Sequence, residues 1–168
     1  KVVINLKPVN KPGTKVVYSN VGWAIAALAA ELAAGNSYED LLKQNIFEKL
    51  EMKTARTGGW PASEKESNQP RGHYFDKENN TLKPQALDDE FVLPLWANPS
   101  GGVNCSITDL ALYARENLLG LQGKGKLLSK EYYKNIHTIH TPAKLNEMYM
   151  GIDTEETITL GYGWAVMK

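Results

Sequence analysis

The chain has 168 residues, 42% of them apolar and 23% charged, which is enough for one globular domain with a core. Its 19 basic residues balance 19 acidic ones and are interspersed with them, so no charged patch points to nucleic acid or an anionic membrane surface. The single cysteine, Cys105, excludes an internal disulfide and reads as a small buried or half-buried residue.

In chain order, residues 2–6 suit a short strand or an extended lead-in, ended by Pro8 and Pro12-Gly13. A β-prone run at 15–17 leads into Tyr18-Ser19-Asn20. Asn20 is the expected N-cap of the helix that follows, and Ser19 a turn residue. Residues 21–34 are apolar on almost every face, which predicts a helix buried on most sides. The run contains Glu31 and falls short of the roughly 20 residues that span a bilayer, so no membrane span is expected. Gly35 is the expected helix stop.

Ser37-Tyr38-Glu39-Asp40 has the form of a capping box, and Tyr38, Leu41, Leu42, Ile46 and Leu50 recur at helical spacing. Residues 54–100 are different. Prolines and glycines break every periodicity, and a long irregular loop is expected. Trp60, Tyr74, Phe75, Phe91 and Trp96 suggest that this loop is packed. A small hairpin is expected over 72–83, turning at Glu78-Asn79-Asn80.

Asn98-Pro99-Ser100-Gly101-Gly102 reads as a sharp turn, and no Lys-Ser/Thr follows to make it a phosphate loop. Ser106 and Asp109 predict the next helix start, with Leu110, Tyr113, Ala114 and Leu118 as its apolar stripe and Gly120 as its end. Ser129 caps a short helix to about Ile136. Residues 161–167 read as one strand, with Tyr162, Trp164 and Val166 alternating on one face.

Few residues carry candidate chemistry. Tyr18 and Asn20 could project a phenol and an amide into one cleft, the phenol relaying a proton and the amide holding a carbonyl or a lysine. Their plainer readings are a core aromatic and a helix cap. Neither is a strong enough nucleophile to make a hydrolase alone. His137 and His140 stand three apart without an evident third ligand, so no metal site is assigned, and no cofactor is expected. His73 reads as a loop histidine.

The segment PGTKVVYSNVGWAIAALAAELAAGNSYEDLLKQNIFEKLEMKTA resembles the serine β-lactamase and penicillin-binding-protein superfamily, in its class C, D,D-peptidase and esterase branch. GGVNCSITDLALYARENLLG, LLSKEYYKNIHT and GYGWAV resemble later segments of that family in the same order. Glu51 stands in EKLEMKTA where the family usually has glycine. The resemblance implies a mainly α (α+β) chain, the helical domain of a β-lactamase/transpeptidase-like fold. It also implies that 161–168 starts a returning sheet. It makes Tyr18 a proton relay and Asn20 a positioner of substrate and lysine. Both would serve a Ser-x-x-Lys serine that opens a β-lactam, a D-Ala-D-Ala peptide or an ester.

No serine of this chain has a lysine three residues later, and no Lys/His-Thr/Ser-Gly follows GYGW. Thr141-Pro142-Ala143-Lys144 has the spacing but begins with threonine and contains a proline. The chain opens at Lys1 without methionine and closes inside an apolar run. The expectation is therefore a single partial domain over 1–168, an internal fragment unable to acylate by itself. The alternative is a non-catalytic peptidoglycan- or peptide-binding module of the same fold. Apolar faces left uncovered predict self-association. The family resemblance suggests a periplasmic or extracellular setting.

Overall fold

The computed structural model describes residues 7–8, 10–14, 18–58, 70, 72–84, 94–138, 159–160 and 162–166. The expectations for 2–6 and 15–17, and those for Trp60, Phe91, His140 and Thr141–Lys144, lie outside these residues.

Helix α1 spans Asn20–Ala34 and stops at Gly35, whose φ of 71° lets its N–H reach Glu31 O. Its cap is Ser19, whose hydroxyl accepts from Gly22 N at 3.1 Å. Asn20 is therefore not the cap but the first helical residue. Serine and asparagine cap about equally well, and the extended backbone falls at Ser19 (φ −153°, ψ 116°). The expected burial of α1 is also corrected. Only Ala27 is buried, and Leu32 keeps 78% of its surface exposed. The main described neighbours of α1 are the next helix and the Leu95–Gly101 stretch, so much of the helix faces outward.

Helix α2 spans Tyr38–Leu42 and runs directly into a π turn, Lys43–Phe47. Ser37 Oγ accepts from Asp40 N at 3.1 Å and donates to Asp40 Oδ2 at 2.7 Å. In the π turn Glu48 N bonds Lys43 O, five residues back, at 2.9 Å. The wide turn takes one residue more than an α turn. The apolar face therefore steps from Leu42 to Phe47, which regular spacing overlooks. Phe47, Leu50 and Met52 form the core centre, with Ile46, Cys105, Leu112, Tyr113 and Leu127 packed against it.

The strands are short and pair antiparallel. Strand β1, Arg56–Thr57, pairs with β4, Val103–Asn104. Strand β2, His73–Asp76, pairs with β3, Thr81–Pro84, in the hairpin expected from the sequence. Asp76 holds its turn by accepting from Glu78 N (3.0 Å) and Asn79 Nδ2 (2.7 Å) and by pairing with Lys83. Tyr74, Phe75 and Trp96 are 49%, 53% and 58% exposed, so these aromatics do not pack the loop inward as expected.

A 3-10 turn, Leu95–Ala97, leads into α3, Asn98–Gly101. Gly102 then has an ordinary φ of −86°, so a sharp turn is not what it provides. It provides room, because a Cβ there would lie 2.7 Å from Asn98 Oδ1.

Helix α4 spans Ile107–Leu121 and α5 spans Lys130–Ile136. Ser106 and Ser129 cap them, as expected. Thr54 joins the first cap: its hydroxyl donates to Asp109 Oδ2 (2.6 Å) and accepts from Ser106 N (2.8 Å). Of the expected stripe on α4, Tyr113 packs against the core, but Leu110 and Leu118 are 50% and 64% exposed. The buried positions of the helix are Asp109, Glu116, Asn117 and Gly120. Gly120 does not end the helix. It lies under Tyr133, and a Cβ there would fall 2.2 Å from Tyr133 Cδ2.

The last element is a hairpin rather than one strand. Strand β5, Thr159–Leu160, pairs with β6, Ala165–Val166. The turn between them includes Gly163 at φ 79°.

Candidate active site

Tyr18, Ser19 and Asn20 form the entrance to α1. Because Ser19 takes the cap, the Asn20 amide is not committed to the first turn. Tyr18 is 51% exposed, and Asn20 is exposed beside it. The two sequence candidates thus flank one capped helix start, with polar heads at the surface.

The hairpin turn 162–164 stands near this entrance. A Cβ on Gly163 would lie 3.9 Å from Cη2 of Trp23, one helical turn beyond Asn20. Tyr162 N donates to Ile136 O at 3.1 Å. Trp164 stacks on Tyr113, with centroids 6.4 Å apart and planes 5° apart. Its other neighbour is His137, at 4.6 Å and 40°. His137 Nδ1 also lies 2.7 Å from Tyr133 O. It serves the junction of α5 and the hairpin. Among the described residues no group of three or more His, Cys, Asp or Glu is arranged for a metal.

An apolar groove of about 580 Å³ runs between α1, the start of α2 and 95–99. Glu31 Oε1 accepts from Tyr38 N at 2.8 Å and ties the two helices together. Glu39 Oε1 accepts from the buried Asn98 Nδ2 at 3.0 Å. Burial, and then the Glu39 charge, push the Tyr38 phenol up. Cys105 is half-buried, and burial followed by the Asp109 charge pushes its thiol up too, away from the reactive thiolate.

Every described serine is engaged locally. Ser19, Ser37, Ser106 and Ser129 cap helices, and Ser100 Oγ donates to Ala97 O at 2.8 Å. Ser63 and Ser67 lie outside the described residues. His73 sits on β2, opposite Pro84. Sequence reasoning passed over Glu116, a buried carboxylate that accepts from Lys126 N (2.5 Å), Leu127 N (2.9 Å) and the Tyr133 hydroxyl (2.6 Å). The available signal was an acid at helical spacing from Asp109, Tyr113 and Gly120. It also passed over Trp23, whose position three after Asn20 was visible.

This arrangement of helices and short paired strands matches part of the fold of solved penicillin-binding-protein homologues and class C β-lactamases. The Beta-lactamase family model matches residues 1–168, and the chain belongs to that family. It is 27% identical over 167 residues to "Penicillin-binding protein 4*" of Bacillus subtilis (strain 168), covering 94% of this chain and 33% of the relative. It is 28% identical to the octameric penicillin-binding protein homologue from Pyrococcus abyssi, with TM-score 0.64, over 94% of this chain and 31% of that one. The D-amino acid amidase from Ochrobactrum anthropi SV3, 18% identical, shares the fold at TM-score 0.67, over 95% of this chain and 43% of that one. The chain spans about a third of the length of the curated relative it matches. No helix among the described residues is long and apolar enough to cross a membrane.

Proposed function

We propose that these 168 residues are the helical part of an acyl-serine hydrolase, a single partial domain whose 161–168 segment joins a sheet formed elsewhere in the protein. Tyr18 relays the proton in acylation or deacylation, and Asn20 positions the substrate carbonyl. The observation that carries this reading is the division of roles at 18–20. Ser19 caps the helix, and the phenol and amide on either side are exposed. No serine of this chain has a lysine three residues later, so on this reading the nucleophile is supplied from outside these 168 residues. The substrate is a β-lactam, a D-Ala-D-Ala peptide or an ester, and the 168-residue segment alone does not acylate.

The test uses the full-length protein and a fluorescent penicillin. Full-length protein should label covalently, and Tyr18→Phe should lower turnover by about 100-fold or more. Labelling of the 168-residue segment alone, or full turnover by Tyr18→Phe, overturns the assignment.

The engagement of every described serine also favours a second reading, a peptidoglycan- or peptide-binding module without chemistry. In that case the full-length protein does not label, and Tyr18→Phe leaves ligand affinity unchanged. In either case the outward apolar face of α1 supports self-association. A relative from Pyrococcus abyssi is described as octameric. A monomer in sedimentation at high concentration argues against it here.

A further inference from the structure

Asn20 and Trp23 are three residues apart on α1 and so share a face of the helix. The ring edge of Trp23 faces the 162–164 turn, close enough that a Cβ added to Gly163 would lie 3.9 Å from Cη2. Gly163 adopts φ 79°, a conformation that side-chain-bearing residues enter only under strain.

The turn is itself held on its other side. Tyr162 N is bonded to Ile136 O, and the Trp164 ring lies between Tyr113 of α4 and His137 after α5. The two helices are locked together by the Glu116–Tyr133 bond. A series of contacts therefore runs from the α4–α5 pair to the turn, and the turn places Gly163 beside Trp23. Trp23 lies one helical turn from Asn20.

Ala27 is the only buried residue of α1, and Trp23 keeps 41% of its surface exposed. The Glu31–Tyr38 bond and the 95–101 stretch hold the helix farther along. We infer that Trp23, facing the 162–164 turn beside Gly163, is a positioning residue that fixes the Tyr18–Asn20 entrance relative to the rest of the fold. The inference rests on the proposed reading for its catalytic consequence and on geometry alone for its structural one.

The experiment uses full-length protein with Trp23→Ala, Trp23→Phe and Trp23→Leu. Hydrogen exchange over 18–22 is read by mass spectrometry, and kcat and KM for an acyl substrate are read against pH. Trp23→Ala should speed exchange at 18–22 and lower kcat by about 10- to 100-fold, with KM changed less than kcat. Trp23→Phe, which keeps a ring against the turn, should restore both quantities. If Trp23→Ala fails to fold, Trp23→Leu is read in the same way.

Unchanged exchange and an unchanged kcat profile in a folded variant overturn the positioning role. Equal losses in Trp23→Phe and Trp23→Ala also overturn it. Should the unsubstituted protein neither acylate nor turn over, the proposed function falls, and exchange at 18–22 still decides whether Trp23 fixes the entrance.

Discussion

The Tyr133 hydroxyl donates to Glu116 Oε1 at 2.6 Å, and both residues are buried, at 2% and 3% exposure. The same oxygen accepts from Lys126 N and Leu127 N, so one carboxylate joins α4, the loop after it and α5. A buried charge is tolerated when its hydrogen bonds replace water, and here three donors converge. Tyr133→Phe removes one donor and keeps the ring. A hydrogen bond to a charged group contributes about 1.5–3 kcal/mol, so a loss of about 2 kcal/mol is expected in urea unfolding. Glu116→Ala should cost more than Tyr133→Phe, because it strands three donors at once, the buried Tyr133 hydroxyl and the N–H groups of Lys126 and Leu127. The reverse order would show that the carboxylate is not the joining group.

Acid should weaken the fold in a defined window. Burial alone would raise the Glu116 carboxyl, but the Tyr133 hydroxyl and the two backbone N–H groups outweigh it, and the net shift is downward. The Thr54 hydroxyl holds Asp109 low in the same way. Asp76 is lowered to about 2, chiefly by Asn79 and then by Lys83. Groups lowered in the fold contribute stability that is complete above their unfolded values, about 4. That stability is lost as pH falls through the folded values. The urea midpoint should therefore be level from pH 5 to 7 and drop below pH 4. In Glu116→Gln the drop should be shallower.

Tyr133 gives the alkaline counterpart. Burial first, and then the Glu116 carboxylate, push its phenol well up. A raised group contributes stability below its unfolded value, about 10, and that contribution is lost as pH climbs toward the folded value. Absorbance at 295 nm should show a tyrosine, Tyr133, that stays neutral until the protein unfolds. That tyrosine should be missing from the titration of Tyr133→Phe.

Gly120 separates two opposing effects. On a bare helix Gly→Ala would gain roughly 1 kcal/mol. Here the new Cβ would fall 2.2 Å from Tyr133 Cδ2, and overpacking of this kind costs about 1–3 kcal/mol. The clash involves a ring that is already fixed by Glu116, so it should prevail. Gly120→Ala is expected to lower the unfolding midpoint, and a rise would mean that α5 moves away freely.

Glu51 holds a φ of 59°, in the left-handed region that favours glycine. A left-handed conformation costs a side-chain-bearing residue about 1–2 kcal/mol, and glycine returns roughly 0.5–1 of that in chain entropy. Glu51→Gly should therefore stabilise by about 0.5–1 kcal/mol. An unchanged or lowered midpoint would refute this account.

Features that depend on a few adjacent residues were legible in the sequence. The caps at Ser37, Ser106 and Ser129, the stop at Gly35 and the 73–84 hairpin need only neighbours within about four positions. The inward face of α4 was not legible. Glu116 and Asp109 look like surface acids until their partners at Thr54, Lys126, Leu127 and Tyr133 are in place, and those lie 10 to 55 residues away. The terminal hairpin was read as one strand because alternating Tyr162, Trp164 and Val166 mimic a period of two. The fold breaks that period with the left-handed Gly163. At the candidate site the resemblance singled out Tyr18 and Asn20. Only the backbone at Ser19 showed which of two equally good caps closes the helix.

The π turn at Lys43–Phe47 has a consequence for how this chain could vary in length. It absorbs a surplus residue, so the faces before and after it stay in phase despite the irregular count between them. Lys43, Gln44 and Asn45 are exposed. Deleting Gln44 would tighten the wide turn into an ordinary α turn and leave Leu42 and Phe47 on the same side. A shortening that would ruin most helices should be absorbed here, and lineages could gain or lose that residue without rebuilding the core beneath it.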